Sequence, residues 1–339
     1  MSGKKMKDVP GRLAAEGVSV WLDGADADGL AEAVRAAGVT GARMRAGDPD
    51  RAESAVRELR RACDLLLPVH EDTRGRDGLV SAGLDPGCAR DAEATLAAAR
   101  ALWHAVARPN LLVRIPATAE GLEAVAACLA QGIGVDAALI FSPERHREAA
   151  GAFLDGLERA RAAGHDLAAI SSVASFSLAP LDTAVDGRLA RAGSPEARAM
   201  AGRTALACAR LAYEGYEEVL ATPRWRALAA LGARPQRLAW TSTEVGDPAH
   251  RDTRYVEELV APDTVAVLPR ALLDAVVDHA EVYGERVRRH YADARRVLGY
   301  LPWFGISHEA VAKSLEAAAL EALVGAVRGE PRVRSLTAA

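Results

Sequence analysis

Eight short apolar runs, separated by longer alanine- and arginine-rich stretches, constrain this chain more than any other feature of its sequence. The runs are VSVWLD (18–23), AGVTGA (37–42), LVSAGL (79–84), NLLVRIP (110–116), GVDAALIFS (134–142), ISSVASFS (170–177), RLAWTST (237–243) and DTVAVLP (263–269). Each carries leucine or β-branched content on both faces, as buried parallel strands do. Residues 87–107, 119–131, 143–164, 194–220 and 270–297 read as amphipathic helices between them. Ser142-Pro143-Glu144 and Ser194-Pro195-Glu196 place an N-cap before a proline at the first helical position. Eight strands alternating with helices predict an α/β fold of the (β/α)8 TIM barrel type. A doubly wound open sheet is the competing topology, but no GxGxxG follows the first run. The expected layout is a flexible tail over 1–16, one barrel domain over 17–330 and a frayed tail over 331–339. The stretch 305–328 reads as an additional C-terminal helix outside the barrel.

Composition narrows the partners. The chain has 339 residues, half of them hydrophobic and 26% charged, so it can bury a large core and is not disordered. A net charge of −4, with no basic stripe interleaved with aromatics, argues against nucleic acid. No apolar run approaches the roughly 20 residues that span a bilayer. The opening MSGKKMKDVPGR has no apolar core of a signal peptide, so no membrane association is expected. Cys63, Cys88, Cys128 and Cys208 are scattered without a CxxC, which points to free thiols in a cytoplasmic protein. His146 and His165 are too far apart, in too helical a context, for a metal site, and no metal or cofactor is expected. Only four of the 42 Lys plus Arg residues are lysines: Lys4, Lys5, Lys7 and Lys313.

Several blocks resemble bacterial transaldolases in the family's order. They are VSVWLDG near the start, DLLLPVHED (64–72), NLLVRIPATAEGLEAV (110–125), the segment 132–167, SSVASFSLAPLDTAVDGRL (171–189), GARPQRLAWTST (232–243) and DTRYVEELVAPDTV (252–265). The resemblance runs from about residue 17 to the C-terminal helix and itself implies a (β/α)8 barrel. It also implies a Schiff-base lysine on strand four, where this chain has Arg114. An amine can lose its proton and attack a carbonyl, whereas a guanidinium stays protonated and is a poor nucleophile.

Other positions implied by the resemblance are altered too. The strand-one aspartate is kept as Asp23 and the strand-six serine as Ser175. The strand-two asparagine falls on Ala42 after Thr40-Gly41, and the strand-three glutamate falls on Gly83. The strand-five asparagine and threonine fall on Asp136 and Ala138, and an aromatic on strand six becomes Ser177. The two basic phosphate ligands fall on Pro180 and Gly246. The segment between Thr40 and Cys63 is shorter than the family's.

The expected mouth therefore carries Asp23, Arg114, Asp136 and Glu244 as candidate catalytic residues, with Thr40, Ser175 and Ser177 as substrate-binding residues. Three acids against one base would repel a dianionic phosphosugar, so the expected partner is an unphosphorylated small molecule. Asp23, Asp136 and Glu244 are candidates for general acid or base, and Arg114 for orienting an anion. Two further readings stay open. Arg114 and Asp136 could close a buried salt bridge in a catalytically inactive homologue that serves a protein partner. Residual transaldolase activity in the pentose phosphate pathway is the third reading.

Remaining residues carry blander expectations. His70 falls in a polar loop, Asp247-Pro248 with Asp252 reads as turn chemistry, and Trp21 and Trp240 read as core or pocket wall. The arginines of 285–297 read as a solvated face.

Overall fold

Seven of the eight apolar runs form strands, the run 37–42 meets its strand only at residues 41–42, and the eight strands close on themselves in chain order. The computed structural model describes residues 9–44 and 52–327. The strands are β1 (Val18–Ala25), β2 (Gly41–Met44), β3 (Leu79–Gly83), β4 (Leu111–Pro116), β5 (Val135–Ile140), β6 (Ser172–Ser177), β7 (Arg237–Thr241) and β8 (Thr264–Pro269). Every neighbouring pair is parallel, and β1 pairs with β8 to seal the barrel.

The helices are α1 (Val9–Ala15), α2 (Ala27–Ala37), α3 (Ala52–Asp72), α4 (Ala92–Val106), α5 (Ala119–Leu129), α6 (Pro143–Ala162), α7 (Ala179–Ala192), α8 (Pro195–Met200), α9 (Thr204–Leu220), α10 (Pro223–Ala229), α11 (Arg254–Glu258), α12 (Arg270–His279), α13 (Tyr291–Tyr300) and α14 (His308–Val327). Seven of them start on a side-chain cap. Asp26, Asp91, Thr118, Ser142, Ser194, Thr222 and Ser307 each accept a bond from the backbone N–H three residues on.

The pleat sorts side chains between two cores. Val113 and Ile115 of β4, Val135, Ala137 and Ile140 of β5, and Leu238 and Trp240 of β7 face outward into the helices. Trp21, Leu79, Leu112, Val173, Ala239, Val265 and Val267 form a separate cluster inside the barrel. Trp21 is fully buried, and Gly41 makes room for it. A Cβ at Gly41 would lie 2.4 Å from the indole Nε1. Trp240 packs edge-on to Phe176, centroids 6.1 Å apart, so both tryptophans are core residues.

The N-terminal end of the barrel is closed by a buried polar plug. The Arg237 guanidinium pairs with Asp77 at 3.0 Å and donates to Ser19 Oγ at 2.5 Å. It also donates to the carbonyls of Arg76 (2.7 Å) and Thr264 (3.0 Å).

The structure corrects several boundaries. Residues 9–15, expected in a flexible tail, form α1, whose Val9 and Leu13 are fully buried. Residues 1–8 and the expected frayed tail 331–339 lie outside the described residues. The stretch 194–220 is two helices, because Ala201 is extended and Gly202 takes φ +68° between them. The stretch 270–297 likewise divides into α12 and α13 around Gly284 at φ +86°. α14 packs on α7 and on the turn after β3, held by the ion pairs Arg145–Glu316 and Arg90–Glu321. It therefore lies along the rim at the C-terminal ends of the strands.

Candidate functional site

Parallel barrels gather their chemistry where the strands end. The alternation fixed by the outward clusters sends Asp23, Arg43, Ser81, Gly83, Arg114, Asp136, Ser175, Ser177 and Thr241 into the barrel at that end. Asp136 is completely buried. Its Oδ2 accepts from Ser81 Oγ and its Oδ1 from Ser175 Oγ, both at 2.6 Å. Both are short charge-assisted bonds. Ser177 and Thr241 share a hydroxyl contact of 3.3 Å.

Arg114 does not pair with Asp136. Their backbones are register partners on β4 and β5, yet no ion pair within 4 Å joins them among the described residues. Instead Arg114 Nη2 donates to the Met44 carbonyl at 3.0 Å, reaching past β3 to the end of β2. Gly83 permits that path, since a Cβ there would sit 3.3 Å from Nη2. Burial and, after it, the neighbouring Arg43 cation lower the Arg114 pKa to about 10, with Asp136 and Asp23 opposing. The expected salt bridge is thus replaced by two separate arrangements, a serine-bound carboxylate and an arginine spanning three strands.

Two expected site residues do not lie inside the barrel. α2 closes on Gly38 in the left-handed conformation, and β2 begins only at Gly41, four residues later than the apolar run suggests. Thr40 thus precedes the strand, its N–H bonded to Val20 O at 2.8 Å. Its parity matches Ala42 and Met44, which face α3. Thr40 is therefore at the entry to β2 and points away from the interior. Glu244 is exposed on the loop after β7.

Arg43, Ser81 and Thr241 are the mouth residues that the sequence reading missed. Arg43 Nη1 lies 3.7 Å from Asp23 Oδ2. The expected excess of acids is corrected accordingly: inside the mouth, Asp23 and Asp136 face two guanidiniums, Arg43 and Arg114. Starting β2 after the Gly38 cap would have put Arg43 on the inward face, and Ser81 shares the parity of Gly83.

Beside the mouth, Gly246 helps line a cleft of about 270 Å³ with Asp182, Asp186, Asp247, His250 and Arg254. Asp182 accepts from Ala205 N–H (2.7 Å) and Tyr255 OH (2.7 Å), and Asp186 accepts from Gly202 N–H at 2.9 Å. Burial raises the Asp186 pKa to about 6.

His70 is the last-turn histidine of α3, at the far end of the barrel, with Nδ1 3.1 Å from Asp77 O. It is neither in a loop nor near the mouth. His146 lies in the first turns of α6 and His165 just beyond its C-terminal end, so most of a helix about 30 Å long separates them. Glu144, His308 and Glu309 bring ligating atoms within 4.8 Å of one another. Both glutamates sit in first helical turns, where the dipole favours acids.

Buried His146 carries an expected result. Its Nδ1 has no hydrogen-bond partner, and burial depresses its pKa from 6.5 to about 4. The unfolded chain binds this proton below about 6.5 while the folded chain refuses it until about 4, so stability falls as pH drops through that window. At about 1.4 kcal/mol per pH unit the loss at pH 4 is about 3 kcal/mol. Denaturant unfolding at pH 7 and pH 4 should show a smaller acid loss for His146→Leu than for the parent. Equal losses would refute this account.

Comparison with known proteins agrees with this geometry. A family model described as Transaldolase/Fructose-6-phosphate aldolase matches residues 48–327. The chain is 54% identical over 269 residues to the Transaldolase of Thermobifida fusca (strain YX), covering 78% of this chain and 73% of that protein. It is 45% identical over 347 residues to the Transaldolase of Acidothermus cellulolyticus, covering 93% of each. It is 46% identical over 336 residues to Transaldolase 1 of Streptomyces avermitilis, covering 90% of this chain and 89% of that protein. With an eight-stranded parallel barrel and matches over most of its length, this chain belongs to the transaldolase family.

Proposed function

We propose that this family member binds and converts an unphosphorylated small molecule at the barrel mouth without forming a Schiff base. The observation that carries this reading is Arg114. The resemblance puts it at the lysine position, and its guanidinium lies across Gly83 against Met44 O. Lys313 is the only lysine among the described residues and is exposed on α14. A guanidinium cannot supply the free electron pair that carbinolamine formation needs.

The acidic cleft supports the absence of a phosphate. The expected phosphate ligands fall on Pro180 and Gly246, and the space beside them presents Asp182, Asp186 and Asp247 together with His250 and Arg254. Within the mouth we assign Asp23 as general acid or base, because its side chain is 29% exposed and reaches solvent. Asp136, wholly buried, positions Ser81 and Ser175. The buried free thiols of Cys63, Cys128 and Cys208 suit a reducing cytoplasm. No described helix is long and apolar enough to cross a membrane.

A non-catalytic reading has its own observation. Trp303 is 79% exposed and stacks edge-on with Tyr300, a surface pair suited to a protein partner.

Borohydride reduction in the presence of a ketose phosphate tests the proposal. Intact-mass measurement should show no adduct, either in the parent or in Arg114→Lys, which still lacks cations at 180 and 246. A stable adduct on the parent chain overturns the proposal and restores transaldolase activity as the function.

A further inference from the structure

Building on the unphosphorylated small-molecule reading, we infer that Arg43 and Arg114 together form a binding site for the carboxylate of a small monocarboxylic acid. Both side chains enter the mouth from strands two apart, and the strand between them ends in Gly83. With no side chain at 83, the Arg114 guanidinium extends to the end of β2 and bonds Met44 O, next door to Arg43. Two cations thus share one half-buried space, and the Arg43 cation disfavours charge on Arg114.

Among the described residues the pair is short of acceptors. Arg43 Nε is buried with no hydrogen-bond partner. Its acid neighbour, Asp23, stands at 3.7 Å, beyond hydrogen-bond length. Asp136 favours the Arg114 cation through space but bonds neither guanidinium, each of its oxygens accepting from a serine. A buried guanidinium N–H without an acceptor is costly, and a ligand oxygen would supply what the protein does not.

Charge and shape select the ligand class. The two guanidiniums are balanced by Asp23 and Asp136, so a monoanion adds one negative charge to the mouth, whereas a phosphate dianion adds two and would face Asp23. The planar guanidinium fork matches the planar carboxylate. The hydroxyls of Ser177 and Thr241, at the same end of the barrel, suit a ligand carrying an oxo or hydroxyl group besides its carboxylate.

Calorimetric titration of the full-length protein with pyruvate, glycerol and inorganic phosphate tests the inference. Pyruvate should bind, more tightly than phosphate. Arg43→Gln and Arg114→Gln should each weaken it at least tenfold, while Asp23→Asn, which removes the competing acid, should tighten it. Melting temperature without ligand monitors folding. If Arg114→Gln does not fold, Arg43→Gln and Arg43→Lys decide, the lysine variant keeping charge but losing the fork and part of the affinity. Pyruvate binding unchanged in the arginine variants overturns the inference, as does failure of pyruvate to bind. Glycerol binding without pyruvate binding also overturns it but leaves the unphosphorylated reading standing. Tighter phosphate binding that depends on Arg43 overturns both.

Discussion

Replacing Arg237 with methionine is expected to destabilise the protein by about 3–5 kcal/mol, read as the change in unfolding free energy from denaturant titration. Arg237 is 5% exposed at its side chain and Asp77 is 11% exposed. The methionine stem fills much of the same volume, so little of the loss comes from a cavity. What is lost is the donor set. Asp77, Ser19 Oγ and the carbonyls of Arg76 and Thr264 all bond this guanidinium, which ties β7, β8, β1 and the approach to β3 together at one point. Leaving a carboxylate buried without its counter-ion is the largest part of the cost. Adding Asp77→Leu to the methionine variant should recover a substantial fraction, because the stranded charge is then gone. A loss under about 1 kcal/mol for the single variant would mean that packing alone closes this end.

Removing both serines that hold Asp136, in the double variant Ser81→Ala and Ser175→Ala, is expected to cost about 3–6 kcal/mol. Each contributes a hydrogen bond to a charged acceptor, and such bonds are worth about 1.5–3 kcal/mol. Asp136 has no solvent contact to substitute for them. Adding Asp136→Asn should return part of the loss, since a neutral amide costs less to bury unbonded than a carboxylate. If the double variant were as stable as the parent, the carboxylate would have to be satisfied by groups other than these serines, and its positioning role would fail.

The two ends of the barrel thus use buried charge differently. At the base, Arg237 and Asp77 neutralise each other, and the two Nη atoms of Arg237 find four acceptors while its Nε has no partner. At the mouth, Arg43 and Arg114 face each other across a glycine, with too few acceptors between them. The first arrangement is a closure, whereas the second leaves hydrogen-bonding capacity directed at a ligand.

Which features were legible in advance follows from the range of the forces involved. Strand and helix identity depends on local periodicity and caps, so the eight runs and starts such as Ser142-Pro143 could be read directly. Boundaries depend on less. The apolar run at 37–42 hid the end of α2, because Val39 is buried whether it belongs to a strand or to a connection. Beginning β2 at Gly41 leaves Thr40 outside the strand and takes Arg43 into it, on the face opposite to Ala42 and Met44. The tail over 9–15 was misjudged for a similar reason. Seven residues carry little helical signal alone, and α1 exists because Val9 and Leu13 find a place against β1 and α12.

Residue type and local order along the chain were enough for the barrel and the family, and β4 itself contains no lysine. Only the tertiary structure decided what Arg114 and Asp136 do. Adjacent strands made a salt bridge between them the natural expectation. The partners actually taken, Met44 O for Arg114 and two serines for Asp136, come from segments 70, 55 and 39 residues away. Hydrogen bonds of that kind depend on side-chain direction across several strands and on a missing Cβ at Gly83, and no pattern along the chain encodes them.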